Sequence, residues 1–306
     1  MRVLVTGGCG YIGSVLVPKL KHDVTVVDLE WFGNHIADCA KFYKADFRDF
    51  DVSGFDAVIH LAAVANDPSG DLDPVLTCKI NALGTQQLAE KCMRAGVKQF
   101  IYASSGSVYG VSDAPQVTEE TPLHPLSAYN ETKMVAERCV LSYADKMAVQ
   151  ILRPATVCGY SPRMRLDVVV NMLVAEAMTT GKLTIKTPNA IRPHINIEDM
   201  ADLYLWMLER PHLTGIFNAG FENYSVCATA EAVRAMCDIG ELEYSTVSND
   251  PRSYRLNSDK LLNAGFRPKR TVADAIKDLY GRFASGELKD KDECHNIKTL
   301  KRLRLA

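Results

Sequence analysis

Arg2-Val-Leu-Val-Thr6 followed by Gly7-Gly8-Cys9-Gly10-Tyr11-Ile12-Gly13 opens this 306-residue chain. Residues 2–6 are apolar and β-branched, as in a short buried strand, and a helix is predicted from about Tyr11 to Lys21. Glycines at 7, 10 and 13 permit a tight turn, close approach of a pyrophosphate to the backbone, and close helix–strand contact. The start of that helix offers unpaired N–H groups and a positive dipole end to phosphates. Val24-Thr-Val-Val-Asp28 reads as the second strand. Asp28 ends it, 21 positions after Gly7, where a carboxylate holds the ribose hydroxyls of NAD and repels a 2′-phosphate.

Working outward, strands and helices alternate. Strands are predicted at 57–61, 99–103 and 149–153, and long helices at 74–95, with Gly96 as C-cap, and at 127–147. That alternation predicts an α/β fold: a doubly wound, Rossmann-like parallel sheet with helices on both faces. Beyond about residue 155 the pattern loosens into helices at 167–181, 198–209 and 227–238, with short strands at 183–185 and 215–218. The expected organisation is a sheet domain of residues 1–160, taking in about 191–220. A smaller interleaved lobe takes 161–190 and 221–306. The Lys/Arg-rich last 20 residues read as a solvated helix or frayed tail.

Composition narrows the field. With 35 Lys+Arg against 37 Asp+Glu, the net charge of −2 gives no reason to expect a nucleic-acid partner. No run approaches the ~18 apolar residues of a membrane span, and the N-terminus lacks the pattern of a signal peptide. Nine scattered cysteines without metal-ligand spacing predict reduced thiols in a cytoplasmic protein with no metal site.

In Ser127-Ala-Tyr129-Asn-Glu-Thr-Lys133, phenol and ammonium share one helix face. A phenol ionises near pH ~10, and a cation close by favours the phenolate. The pair is a candidate proton-transfer device.

Further pieces stand in order: Ala45-Asp-Phe-Arg-Asp49, His60-Leu-Ala-Ala63, Asn81 with Gly84-Thr85, Ser104-Ser105 before Val108-Tyr-Gly110, and Arg153-Pro154. With the glycine turn, Asp28 and Tyr129-x-x-x-Lys133, they make the chain resemble an extended short-chain dehydrogenase/reductase of the nucleotide-sugar epimerase/dehydratase group, from Val3 to about Lys260. The resemblance implies NAD as cofactor, with Asp46 and Phe47 beside the adenine and Leu61, Ala62 and Ala63 along the cofactor. It implies Asn81 as a cofactor-binding residue near the active site and a backbone contact at Pro154. Ser105 matches the hydroxyl that bonds the reacting sugar oxygen, Tyr129 the general base/acid, and Lys133 the residue that binds the nicotinamide ribose and lowers the tyrosine pKa. Asn171, Arg192 and Arg252 stand where relatives contact the nucleotide diphosphate. Arg163 and Arg165 either join that phosphate site or lie on the surface.

Departures from the family pattern matter. Dehydrating relatives carry an Asp-Glu pair directly after the active-site Ser/Thr, because loss of water needs an added acid and base. Gly106 and Ser107 occupy those places here, which disfavours a 4,6-dehydratase. Pro154-Ala-Thr156 and Cys158-Gly-Tyr160 replace common epimerase runs near the sugar, with Thr156 a candidate substrate contact and Cys158 read as a small buried thiol. Asp199 reads as a helix N-terminal acid. The expectation is hydride transfer at C4 of a nucleotide-diphosphate sugar, by epimerisation or by net oxidation or reduction. A homodimer through helices 74–95 and 127–147 is what relatives suggest.

Overall fold

A computed structural model describes residues 1–245 and 252–304. In chain order the first half runs β1 (Arg2–Thr6), α1 (Gly13–Leu16), β2 (Asp23–Asp28), β3 (Lys41–Lys44), β4 (Ala57–His60), α2 (Asp67–Gly70), α3 (Pro74–Thr77), α4 (Thr85–Ala95), β5 (Gln99–Ala103), α5 (Ala128–Leu141), β6 (Ala148–Pro154) and β7 (Thr156–Cys158). The second half holds α6 (Val169–Thr180), β8 (Thr184–Ile185), β9 (Ile191–Asn196), α7 (Ile197–Leu208), β10 (Gly215–Ala219), β11 (Glu222–Ser225), α8 (Val226–Cys237), β12 (Glu243–Tyr244), α9 (Asp259–Asn263), α10 (Val272–Ala284) and α11 (Asn296–Arg302).

Seven strands pair in parallel in the order β10-β6-β5-β4-β1-β2-β3. The strands between the edges are buried along nearly their whole length, as in a sheet covered on both faces. The chain reverses its direction of winding between β1 and β4, and at such a switch point the strand ends leave a crevice. Thr6, Asp28, His60, Ala103 and Pro154 are the C-terminal residues of their strands and bring the expected site to that edge.

Three predicted elements differ in detail. The helix after the glycine turn is short: α1 gives way to a 3₁₀ turn at Val17–Lys19, because Pro18 has no N–H with which to continue an α-helix. The helix predicted over 74–95 is three pieces, with a π-helical segment at Cys78–Gly84 between α3 and α4; Gly96 ends it in the left-handed conformation, as expected. The helix predicted over 127–147 stops at Leu141. Strand β3, exposed and half polar at the sheet edge, had no clear sequence signal.

Away from the main sheet, β7 and β11 flank β9 in a three-stranded sheet. Helices α6, α8 and α10 pack on one another beside it. The tail departs most from expectation. Instead of lying solvated, α11 buries Asn296, Thr299 and Leu300 and rests against α2. Its charged residues cover one face only; Leu300 joins the core that contains Val27, Phe47 and Val64. Among the described residues no helix is long and apolar enough to cross a membrane.

Candidate active site

One cavity of about 1160 Å³ runs along the C-terminal edge of the sheet. That exceeds the usual range for a single small-ligand pocket, roughly 300–1,000 Å³. Most of the residues expected to bind cofactor or substrate line it: Gly7, Gly10, Tyr11, Ile12, Gly13, Asp28, Asp46, Phe47, Leu61, Ala62, Ala63, Ser105, Tyr129, Lys133, Pro154, Thr156, Arg192 and Arg252. Arg163 and Arg165 line it too and do not lie on the open surface.

At one end lies the glycine turn. Gly7 has φ +74°, and a Cβ there would come within 2.5 Å of the Ala62 backbone nitrogen. The turn therefore sits against the 61–63 loop as closely as backbone allows, leaving a cradle that a side chain would fill. Asp28 is held beside it: its carboxylate accepts from the backbone N–H of Cys9 at 3.0 Å and of Glu30 at 2.8 Å. Burial pushes its pKa up, while these two N–H groups oppose the shift. Asp46 is clamped by the Arg48 guanidinium, at 3.0 Å from Nε and 2.6 Å from Nη2, and that contact lowers its pKa.

Facing the turn are two arginines without full satisfaction. Arg163 is 3% exposed and lies with its guanidinium carbon 3.8 Å from the centre of the Phe32 ring; its Nη2 donates to Asn296 Oδ1 at 2.6 Å. It forms no ion pair among the described residues, and its Nε has no hydrogen-bond partner there. Arg165 pairs with Asp167 at 2.8 Å, yet its Nη2 is also unpartnered. Buried cations left short of anions are costly, and a dinucleotide or nucleotide diphosphate is the kind of group that offsets them. The cradle at Gly7, the carboxylate of Asp28 and these guanidinium groups fit NAD.

At the other end stand Ser105, Tyr129 and Lys133, the set expected to be catalytic. Ser127 caps α5, its Oγ accepting from Asn130 N–H, so Tyr129 and Lys133 fall in the first two turns. The Lys133 ammonium is 5.8 Å from the Tyr129 ring centre and 4.9 Å from that of Tyr102, and donates to the Ala103 carbonyl at 2.7 Å. The electrostatics run opposite to expectation. Burial raises the Tyr129 pKa to about 12, with Ser105 and nearby arginines opposing, and lowers that of Lys133 to about 7. Desolvation dominates both shifts, because both groups have lost their water; the Glu137 carboxylate opposes it at Lys133.

Two expected contacts lie behind the cleft instead of in it. Asn171 is fully buried and its amide is engaged, accepting from Gly159 N–H at 2.9 Å and donating to Tyr11 Oη and the Arg165 carbonyl, both at 2.9 Å. It braces the wall and is not placed to hold a diphosphate. Asn81, in the π-helical segment, accepts from Val64 N–H at 2.9 Å and donates to its carbonyl at 3.0 Å, pinning the 61–65 loop from below. Cys158 is fully buried with its thiol pKa pushed up by burial. Asp199 is 1% exposed and accepts from the backbone of Lys269 and Arg270, away from the cleft.

Sequence reasoning missed four groups. Asp67 lines the cleft and bonds Arg252, Ser127 and Asn130. Ser107 bonds Ser105. Glu137, one turn beyond Lys133, forms a buried ion pair with Arg153 and accepts from Ser104. Asn296 reaches Arg163 from the tail. Asn66-Asp67-Pro68 carries the signal of a helix start, but nothing linear ties it to Tyr129.

The comparisons agree with this geometry. The model of the NAD dependent epimerase/dehydratase family matches residues 3–220. A UDP-glucose 4-epimerase of Lactobacillus helveticus is 30% identical over 316 residues, covering 90% of this chain and 94% of that one. A putative UDP-glucose 4-epimerase of Methanocaldococcus jannaschii is 32% identical over 300 residues, covering 90% and 96%. Among solved structures, the Thermus thermophilus UDP-glucose 4-epimerase in complex with NAD has a TM-score of 0.83 at 28% identity, covering 93% of this chain and 99% of that one. The chain therefore belongs to the NAD-dependent epimerase/dehydratase family, within the extended short-chain dehydrogenase/reductases that act on nucleotide sugars.

Proposed function

We propose that the chain transfers hydride at C4 of a nucleotide-diphosphate sugar and that the reaction is epimerisation through a 4-keto sugar. The observation that carries this reading is the convergence of Ser105, Tyr129 and Lys133 on a single cleft that also holds the glycine turn and Asp28. NAD, when bound, supplies the hydride acceptor and donor and a positive ring charge that favours the phenolate. Tyr129 removes the proton of the sugar hydroxyl and later returns it. Ser105 lies beside that oxygen, and Lys133 is anchored by the Ala103 carbonyl so that its charge stays under the phenol. Arg192 and Arg252 bind the diphosphate of the substrate.

Epimerisation is favoured over dehydration because Gly106 and Ser107 replace the acid pair, and the cleft carboxylates nearest the phenol among the described residues are engaged: Asp67 by Arg252, Ser127 and Asn130, and Asp167 by Arg165 and Asn66. The names of the relatives, UDP-glucose and UDP-arabinose 4-epimerases, support a UDP-sugar as the first substrate to test. Incubation with UDP-glucose, UDP-galactose, UDP-xylose and UDP-arabinose, followed by proton NMR, should show C4 epimers with no net absorbance change at 340 nm. Tyr129→Phe should lower turnover by about 10²–10⁴-fold. Net NADH formation, loss of water from the sugar, or full activity of Tyr129→Phe would overturn the reading.

A further inference from the structure

The glycine-turn end of the cleft has two banks, and the last helix of the chain joins them. One bank is the 61–66 loop after β4. The other is the 161–167 segment after β7, which is stitched to the glycine turn: Ser161 Oγ donates to the Tyr11 carbonyl at 2.7 Å, and Arg163 N–H donates to Ser14 Oγ at 3.3 Å. Asn296, the first residue of α11, reaches both. Its Oδ1 accepts from Arg163 Nη2 at 2.6 Å, its backbone N–H donates to Asp167 at 3.2 Å, and its Nδ2 donates to the Ala65 carbonyl at 3.1 Å. The Asp167 carboxylate also accepts from Asn66 Nδ2 at 3.0 Å, so it ties the same two banks.

Helix α11 is held at both ends and has little helicity of its own. Ahead of it, Leu166 N–H donates to the Cys294 carbonyl at 2.9 Å. Towards its far end, Leu300 is buried in the apolar cluster of Val27, Phe47 and Val64. With only 7 residues it is well short of the ~12–15 at which an isolated helix becomes even marginal in water, so it is helical only while docked. Ile297, Lys298 and Leu300 line the cleft. The arginine that Asn296 grips is short of an anion: Arg163 Nε is buried without a partner among the described residues, and burial, then the Arg165 charge, pull its pKa down. A diphosphate is a group that supplies the missing charge.

We propose that α11 is a strap over the cofactor: NAD enters and leaves only when α11 undocks, and its diphosphate, by engaging Arg163, fastens the residue that Asn296 holds. Undocking of a short segment held by few contacts is a low-cost local opening, which is the motion a gate needs. A strapped NAD stays with the protein from one turnover to the next, which suits a reaction that takes a hydride and then returns it.

The test is kinetic. NAD is stripped from the purified protein, and uptake and release are followed with NADH by its fluorescence. In Asn296→Ala, release should be about tenfold faster, the worth of a hydrogen bond to a charged group. Uptake by the stripped variant should also be faster, because both directions pass through the undocked state. A side chain that merely touches NAD would speed release alone. Leu300→Ala, at the other end of α11, should change both rates in the same sense. Hydrogen exchange reads the strap itself: the amides of 299–302 should exchange about tenfold more slowly when NAD is bound, because the ligand favours the docked form. Faster release with unchanged or slower uptake, wild-type rates in both variants, or exchange in α11 that ignores NAD would each overturn the proposal. No readout involves the sugar or the fate of the hydride, so this failure is separate from failure of the function proposed above.

Discussion

The two ends of the cleft are built in opposite ways. At the glycine-turn end the binding surface is mostly backbone, drawn from one strand, one turn and the start of one helix within residues 2–16, with Asp28 next door. At the tyrosine end it is side chains, and the chain of contacts from Ser105 through Ser107, Asn130 and Asp67 to Arg252 joins residues as far as 185 positions apart. The first end fails when a side chain is added. The second fails when one is removed.

That contrast can be broken experimentally. The largest effect expected at the backbone end is Gly7→Ala: a positive φ and a Cβ 2.5 Å from Ala62 nitrogen should cost about 2–5 kcal/mol. The purified variant should carry no dinucleotide by its 260/280 nm absorbance ratio; a stable, NAD-loaded Gly7→Ala protein would show that the turn is not packed as described. At the side-chain end, Arg252→Ala should raise the KM for a nucleotide sugar by about 10–100-fold, the loss of a hydrogen bond to a charged group, with a smaller change in kcat. An unchanged KM would remove Arg252 from the substrate site.

Between the two ends, Asn296→Ala deletes the tail's contact with Arg163 and should weaken NAD retention about tenfold. Dialysis followed by measurement of bound dinucleotide reads this directly; retention equal to wild type would mean that the tail merely covers the wall. The smallest effect concerns Lys133. Its folded pKa of about 7 lies below the ordinary lysine value, so the folded state binds fewer protons than the unfolded state between those pH values. Stability from this group therefore rises with pH across that window, and its penalty is full below about pH 7. Lys133→Met should raise the melting temperature of NAD-free protein most near pH 6 and hardly at all near pH 10. A gain that does not depend on pH would contradict the burial argument.

Much of the site was legible because its signals are local. Gly7, Gly10, Gly13 and Asp28 declare themselves by spacing along a strand–turn–helix, and Tyr129 and Lys133 by a separation of about one helical turn. Asn171 and Asn81 were misplaced for the converse reason. Each lies next to cleft residues in sequence, Ile80 among them, but helix geometry turns its amide inward, where Gly159, Tyr11 and Val64 satisfy it. The tail misled because its charge dominates its composition, while the face that docks is carried by Asn296, Thr299 and Leu300.

By itself the sequence determined the parallel α/β sheet, the glycine turn at one end of the cleft, NAD as the cofactor and the helix face that Tyr129 and Lys133 share. Each of these depends on residues within a few turns of one another, where chain geometry leaves little freedom. Only the tertiary structure decided which amides face the cleft, that burial drives the pKa of Tyr129 up and that of Lys133 down, that the tail walls the glycine-turn end, and that Asp67 reaches the start of α5. Desolvation and long-range hydrogen bonds depend on what packs around a group, and a linear pattern does not contain that.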